Sequence, residues 1–365
     1  MNTKFRIISN LKISIVGFSF LLLLGMLLFS CGEESTTGGK KTNVLNTETV
    51  VNVYTVRYKA IDDNLFKQFE QKKGIKVNVY SASPQELLKR MKDEANSTGA
   101  DVVIFNDLTW MYEAKAAGLL QPFSTDSTLH QMPSRNTDNE GTWVGLSKWS
   151  LGYGCSKVAI PKPSLINTYQ DIIDKNWKGR VLLTKAENSA NSFLVATMIV
   201  EQGEAATSKW LKGLIKNLAM PPLATDGEVI QAIADGKGDL SLINASEHIR
   251  WTNSGNPDNF KAGEQIGMKV SYDGNNKTYY NIVSAGLSRN VQNRQNALQF
   301  IDFLISQKAQ QYYCDLTFEY PTNVFTLPSD FLMNISGYKE KEINFNKIAD
   351  NIELARSMMQ KAGWE

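Results

Sequence analysis

VNVYTVRYKAIDDNLFKQFEQKKGIKVNVY, from Val51 to Tyr80, decides the fold. Val51, Val53 and Tyr54 begin it as a short strand, and a polar turn follows from Thr55 to Lys59. Ile61, Leu65, Phe66 and Phe69 then recur at helical spacing, and Gly74 stands where the helix needs a left-handed residue to end. Ile75, Val77 and Val79 alternate with polar neighbours as a second strand. Strand, helix and strand in so short a span is the βαβ unit, whose parallel strands and right-handed crossover imply an open α/β sheet. Ligands of such sheets sit beyond the carboxyl ends of the strands. The turn holding Arg57, Tyr58 and Lys59 is therefore the first place to look for function.

Upstream, Lys4, Arg6 and Lys12 precede an apolar run from Ile13 to Phe29 that stops at Ser30-Cys31. A basic segment followed by an apolar one is the pattern of a secretory signal; a single membrane helix is the rival reading. Leu28-Phe29-Ser30-Cys31 resembles the bacterial lipobox, which implies acylation of Cys31 as the mature N-terminus. Several acyl chains on one terminus hold a protein to a bilayer more firmly than one can. Residues 32–48, GEESTTGGKKTNVLNTE, lack apolar spacing and read as a flexible tether.

The remainder is long enough for two domains. The whole chain's 39 basic and 37 acidic residues create no field that would recruit nucleic acid or an acidic surface. Cys155 and Cys314 make no disulfide framework, and two histidines argue against a His-rich metal site. No G-x-S-x-G elbow, H-E-x-x-H helix, P-loop or G-x-G-x-x-G follows a strand, so the chain reads as no enzyme. A Cys155–His248–Asp triad can be drawn, but residue types are not a geometry.

Downstream, Ser83-Pro84-Gln85-Glu86 marks a helix start. Asp101 to Phe105 is a strand too apolar to be exposed on either face, and after Asn106-Asp107 a helix runs to Ala117. Gly141 to Lys157 reads as extended chain crossing into a second lobe. There the expectation is a strand at Val181–Thr184, helices at 192–203, 205–218 and 225–233, and a strand at Asp239–Ile243. The turn Asn244–His248, a strand from Met268 to Tyr272 and a return crossing at Ile282–Leu287 come next. Helices at 294–306 and 308–315 pack back on the first lobe, and an amphipathic tail follows from Tyr338 to Ala362.

Taken together, VNVYTVRY, GIKVNVY, ADVVIFNDLTWMYEAKAAGLLQP, GTWVGLSKW, WKGRVLL, SFLVATMI, NIVSAGLSRN and ALQFIDFLISQKAQQYYCDLTFEYP resemble, in order, the ferric-iron-type periplasmic solute-binding proteins of ABC transporters. The resemblance covers about 50 to 325. It implies the type II two-lobe periplasmic-binding-protein fold: α/β, two open mixed sheets joined by two extended hinge crossings. It also implies a cleft that captures its ligand and hands it to a membrane permease and ATPase. The divisions expected are 1–30 signal, 31–48 lipidated tether, 49–146 with 286–365 as lobe 1, and 147–285 as lobe 2. The resemblance does not carry the family's iron site intact. Its adjacent tyrosine pair is replaced by Ser246, Glu247 and His248; another family tyrosine aligns with Cys155; its first-turn His or Tyr aligns with Tyr58 or Lys59. Hard Fe(III) favours anionic oxygen and accepts imidazole, so Tyr58, Glu247 and His248 are the ligand set the resemblance leaves.

Each candidate has a plainer alternative. Arg57 can grip an anion bidentately or cap nearby carbonyls. Asp107 can face a ligand or merely cap the helix at Leu108. Trp149, with Tyr153, can stack on a ligand or fill space between lobes. Cys155 reads as a small buried apolar residue. Ser189, Asn191 and Ser192 stand where a helix start binds anions, or where ordinary capping suffices. Glu247 and His248 face Arg57 and Tyr58 across the expected cleft, unless Glu247 only opens a helix. Tyr280, with Tyr279, offers a phenolate or hinge packing.

The reading is an envelope lipoprotein, monomeric and anchored facing the periplasm or exterior. It requires no cofactor and carries Fe(III), bare or chelated, as its transported ligand. A small organic or oxyanionic solute held by Arg57, Trp149, Ser189, Glu247 and His248 is the alternative within the binding class. A cleft hydrolase is the alternative outside it.

Overall fold

Six strands among the described residues form one open sheet and four a smaller one, because helices between the strands cover their apolar faces. The computed structural model describes residues 49–57, 60–94, 99–125, 130–161, 166–270, 273, 277–335 and 339–365. The expectations for the signal, Cys31, the tether, Tyr58 and Lys59 lie outside the described residues.

The opening unit is β1 (Val50–Thr55), α1 (Ala60–Lys73) and β2 (Lys76–Ser81), with Gly74 at φ +67 ending the helix. β1 and β2 pair in parallel, Val51 opposite Val77. α2 (Pro84–Asp93) starts at its Ser83 cap, whose hydroxyl accepts from the Glu86 N–H. β3 (Val102–Phe105) is buried throughout, and α3 (Leu108–Ala116) follows from the Asp107 cap. β4 (Trp143–Trp149) and β5 (Leu151–Ser156) then meet at Ser150.

β6 (Val181–Leu182) is followed by α4 (Ser189–Gln202), α5 (Glu204–Lys216) and α6 (Asp226–Ala234). β7 (Leu240–Asn244), α7 (Ala245–Thr252), α8 (Pro257–Glu264) and β8 (Ile266–Val270) complete that region. After β9 (Lys277–Thr278) come β10 (Asn281–Leu287), α9 (Arg294–Ile305), α10 (Gln307–Thr317) and β11 (Tyr320–Pro321). α11 (Asp330–Ile335), β12 (Lys339–Glu340), α12 (Phe345–Asp350) and α13 (Ile352–Ala362) end the chain.

Two mixed open sheets result, and β9 and β12 pair in parallel apart from them. The larger has the order β11-β4-β10-β3-β1-β2 and the smaller β6-β7-β5-β8. Alternation along β1 and β3 divides the larger sheet's core in two. Val51, Val53, Val102 and Ile104 pack with α1 and α9, where Phe300 lies edge-on to Phe66 and Phe69 at about 5 Å. Tyr54, Val103 and Phe105 pack on the other face with Leu87, Leu88 and Met111 from α2 and α3. The crossing expected within Gly141–Lys157 is one residue wide: β4 belongs to the larger sheet, β5 to the smaller, and Ser150 joins them.

Several expectations are corrected. The strand expected over Val181–Thr184 stops at Leu182, and Thr184 bridges only to Leu223. The helix expected from Ser192 begins at Ser189, because Asn188 accepts from the Ala190 N–H and caps it earlier. Asn244–His248 is not a turn: Asn244 accepts from the Ser246 N–H and opens α7. Ile282–Leu287 is the central strand β10, so the return crossing precedes it, at Tyr279-Tyr280. Apolar strand residues look alike wherever the neighbouring strand lies. The tail, assigned by sequence with the first lobe, packs through α12 and α13 against α4 and α5 beside the smaller sheet, and α12 also touches α3 and Trp143 of the larger. Trp364 fixes its end by donating from Nε1 to the Thr184 carbonyl at 2.9 Å.

Candidate functional site

The carboxyl ends of β1, β3 and β4 in the larger sheet, and of β6 and β7 in the smaller, turn toward one another at the Ser150 crossing. After β1, the Thr55 hydroxyl donates to the Arg57 carbonyl at 2.6 Å and accepts from the Arg57 N–H at 3.1 Å, a local turn that aims the guanidinium. Arg57 lies over the Tyr313 ring at 4.7 Å and donates to Glu319 at 2.9 Å, while Ser147 on β4 donates to the other Glu319 oxygen at 2.5 Å. Arg57 is thus neither a free anion clamp nor a simple carbonyl cap. It neutralises a carboxylate that is only 3% exposed.

Asp107, fully buried after β3, accepts from the Thr109 N–H at 2.7 Å and from Asn281 Nδ2 at 2.8 Å. Asn281 also accepts the Leu108 N–H at 3.0 Å, so one amide ties the start of α3 to the start of β10. Burial pushes the Asp107 carboxyl above the usual range; hydrogen bonds from Thr109, Ser189 and Asn281 oppose that push. Ser189 belongs to α4, so this carboxylate is touched from both sides of the cleft. Asp107 caps the helix and also faces the second lobe. Ser192 closes back on the Ser189 carbonyl, and Asn191 Nδ2 donates to Thr184 and Lys185, holding the loop before α4.

Trp149 is buried and donates from Nε1 to the Asn106 carbonyl at 2.9 Å, which joins the ends of β3 and β4. Tyr153 donates to the Thr168 carbonyl from a fully buried position. Tyr280 sits at the second crossing, edge-on to Tyr320 at 5.2 Å and near the Lys148 ammonium, while Tyr279 stacks on Tyr169. Lys148 is held by Glu340 at 2.7 Å, and burial lowers its pKa. These aromatics fill the hinge.

Glu247 and His248 part company. Glu247, in the first turn of α7, accepts from Arg250 and from Trp251 Nε1. His248 is buried on the far side of the helix, with Nε2 at 3.2 Å from the Gly263 carbonyl and 3.1 Å from the Ile266 carbonyl. Carbonyls only accept, so Nε2 carries the proton, and burial lowers the imidazole pKa. Adjacent residues on a helix point about 100° apart, which sends His248 into the interior when Glu247 faces the cleft. The expected pairing of His248 with Arg57 across the cleft is therefore not what the fold builds. Cys155 is 1% exposed on β5 and its thiol is pushed up to about 12 by burial, the packing role expected of it. Among the described residues no three His, Cys, Asp or Glu side chains gather as metal ligands.

Arg250, Glu319, Ser147 and Thr317 take part in these contacts and are not among the candidates the sequence offers. Arg250 Nη1 donates 3.0 Å to the Thr317 carbonyl, from α7 beside the smaller sheet to the end of α10 beside the larger. The Glu247-x-x-Arg250 spacing was a readable signal for the anchored arginine; its partner 67 residues away was not.

This architecture has close counterparts. A structure of a Trichodesmium protein in complex with iron and citrate ligands matches at a TM-score of 0.82 and 28% identity, covering 87% of this chain and all of that one. The ferric binding protein from Campylobacter jejuni matches at 0.82 and 27%, covering 86% of this chain and all of its own. Iron uptake protein A1 of Synechocystis sp. is 30% identical over 353 residues, 96% of this chain and 97% of that protein. The two-lobe expectation is met, and these relatives are binding and uptake proteins. With residues 51–314 matching the model of the bacterial extracellular solute-binding proteins, the chain belongs to that family.

Proposed function

We propose that this protein is the capture component of an ABC importer for ferric iron, taken as the ion or as a chelate, with no reaction catalysed. The observation that carries this reading is the 30% identity to an iron uptake protein along nearly the whole of both chains. The cleft supports it chemically: Asp107 and Ser189 meet across it, and Glu247 opens α7 on the smaller sheet's side. The lobes turn about Ser150 and Tyr279-Tyr280, and a ligand touching both rims favours closure by its differential affinity. Tyr58, in the first turn, is proposed to add a phenolate oxygen beside Glu247. The body is proposed to be delivered to the envelope by the 1–30 signal, held by lipid on Cys31, and to act as a monomer on a permease and its ATPase.

A second reading is favoured by the start of α4 at Ser189, where backbone N–H groups suit an anion. In it, the same cleft takes a small organic or oxyanionic solute. Thermal unfolding with ferric citrate, gallium citrate and citrate alone separates the two. Ferric and gallium citrate raising Tm where citrate does not supports ferric capture, since a ligand that binds only the folded state stabilises it by mass action. No shift with either metal overturns it.

A further inference from the structure

Two helices beside the smaller sheet carry the same device, a glutamate followed three residues later by an arginine whose free arm reaches the other lobe. On α7, Glu247 accepts from Arg250 Nε at 2.9 Å and also from Nη2, which leaves Nη1 to donate across the cleft to the Thr317 carbonyl. On α13, Glu353 holds Arg356 Nη1, which leaves Nη2 to pair with Glu113 of α3 at 3.0 Å. α13 is bound to the second lobe through α4, α5 and the Trp364–Thr184 hydrogen bond, whereas α3 packs on the larger sheet. The two contacts lie on opposite faces of that sheet, because α10 joins the core formed with Val51 and Val53, and α3 the core formed with Tyr54 and Val103.

Both acceptors suit a guanidinium. Thr317 ends α10, and Phe318 after it takes the left-handed conformation at φ +56. The last carbonyls of a helix have no intrahelical donor and carry the negative end of the dipole. Glu113 offers a full carboxylate, and Arg356 is steadied further over the Trp110 ring at 5.5 Å. This second contact crosses a groove of about 820 Å³ lined by α3, Lys185–Glu187, Pro221-Pro222 and α13. An arginine already held by its own helix loses less freedom when its remaining N–H groups bond elsewhere.

We propose that Arg250 and Arg356 are paired clasps that set the balance between open and closed lobes before any ligand enters. The proposal rests on the two-lobe clamp reading. The clasps make the binding-competent state populated rather than rare, which raises apparent affinity by that population. Delivery then requires a partner to break both.

The test measures the separation of nitroxides on Lys89→Cys (α2) and Lys209→Cys (α5) in the full chain carrying Cys31→Ser, by pulsed electron resonance without iron. The parent is expected to give one short distribution. Arg250→Ala/Arg356→Ala shifts it to longer separations, with about a tenfold fall in the closed-to-open ratio, and each single variant shifts it part way. Arg250→Lys/Arg356→Lys serves if the alanine pair fails to fold; lysine keeps the charge but cannot hold its glutamate and the other lobe together, so the same opening is expected. Distributions identical to the parent in a folded double variant overturn the proposal. Because no iron is present, a chain that proves to bind none still answers the question.

Discussion

Asp107→Ala removes a carboxylate that both caps α3 and is reached from the second lobe. Losing an N-cap costs about 1 kcal/mol. Leaving Asn281 Nδ2 buried without its 2.8 Å acceptor adds about 1–3 kcal/mol. The sum is about 2–4 kcal/mol, or roughly 3–6 °C in Tm for a body of this size. The penalty depends on pH with a definite sign. Burial holds the Asp107 pKa above its unfolded value, so its ionisation costs folded stability once pH passes the unfolded carboxylate range. The parent loses that increment as pH rises and the alanine variant does not, so the gap between them narrows from pH 4.5 to pH 8. Asp107→Asn keeps the capping oxygen but turns an amide N–H₂ toward Asn281 Nδ2, which cannot flip because Asn281 Oδ1 accepts from Leu108. It should fall between the two. Differential scanning fluorimetry at the two pH values reads all three proteins. An alanine variant within 1 °C of the parent at both would refute the assignment of Asp107 as the joint between α3, β10 and α4.

Asp226, at the first position of α6, is raised to about 7 by burial and the neighbouring Glu247. Its ionisation therefore costs stability increasingly between about pH 4 and 7, and Asp226→Asn should raise Tm at pH 8 while leaving it unchanged at pH 4; equal effects at both would contradict the cause given. Cys155, its thiol pushed up to about 12, and the fully buried Cys314 should both resist a disulfide reagent in native protein and react on unfolding. Labelling of either in the native state, scored by peptide mapping, would show a site more open than described. His248, its pKa lowered by burial, makes the fold less stable as pH falls below the unfolded imidazole value, where the unfolded chain gains the proton first. His248→Asn should flatten that acid limb and leave ferric-citrate affinity unchanged, and a tenfold affinity loss by calorimetry would return His248 to the ligand set.

The βαβ opening was readable because Phe66 and Phe69 declare a helical face and Gly74 declares its end, all within one local segment. The crossing near Ser150 was readable as extended Gly- and aromatic-rich chain, but which half of it belonged to which sheet depends on strand partners that no local pattern records. The same limit explains β10, an apolar run whose neighbours β3 and β4 both lie far away in sequence. Asn244 reads as a turn residue in the sequence because capping and turning use the same side-chain oxygen; only the following residues' backbone decides between them. Position alone, after a strand or at a helix start, marks out Arg57, Asp107, Ser189 and Glu247 in the sequence. The inward side of His248 is hidden from the sequence because a one-residue step along a helix moves a side chain from one face to another. Glu319, Thr317 and Glu113 could not be found, since each becomes relevant only through a partner on another element.

Native mass spectrometry of the full chain, purified without chelators, asks the central question directly. Ferric capture predicts a population heavier than the polypeptide by iron, with or without small carboxylates, which collapses to the bare mass after reduction and chelation. A bare mass throughout, or an adduct that contains no iron and survives chelation, would contradict it.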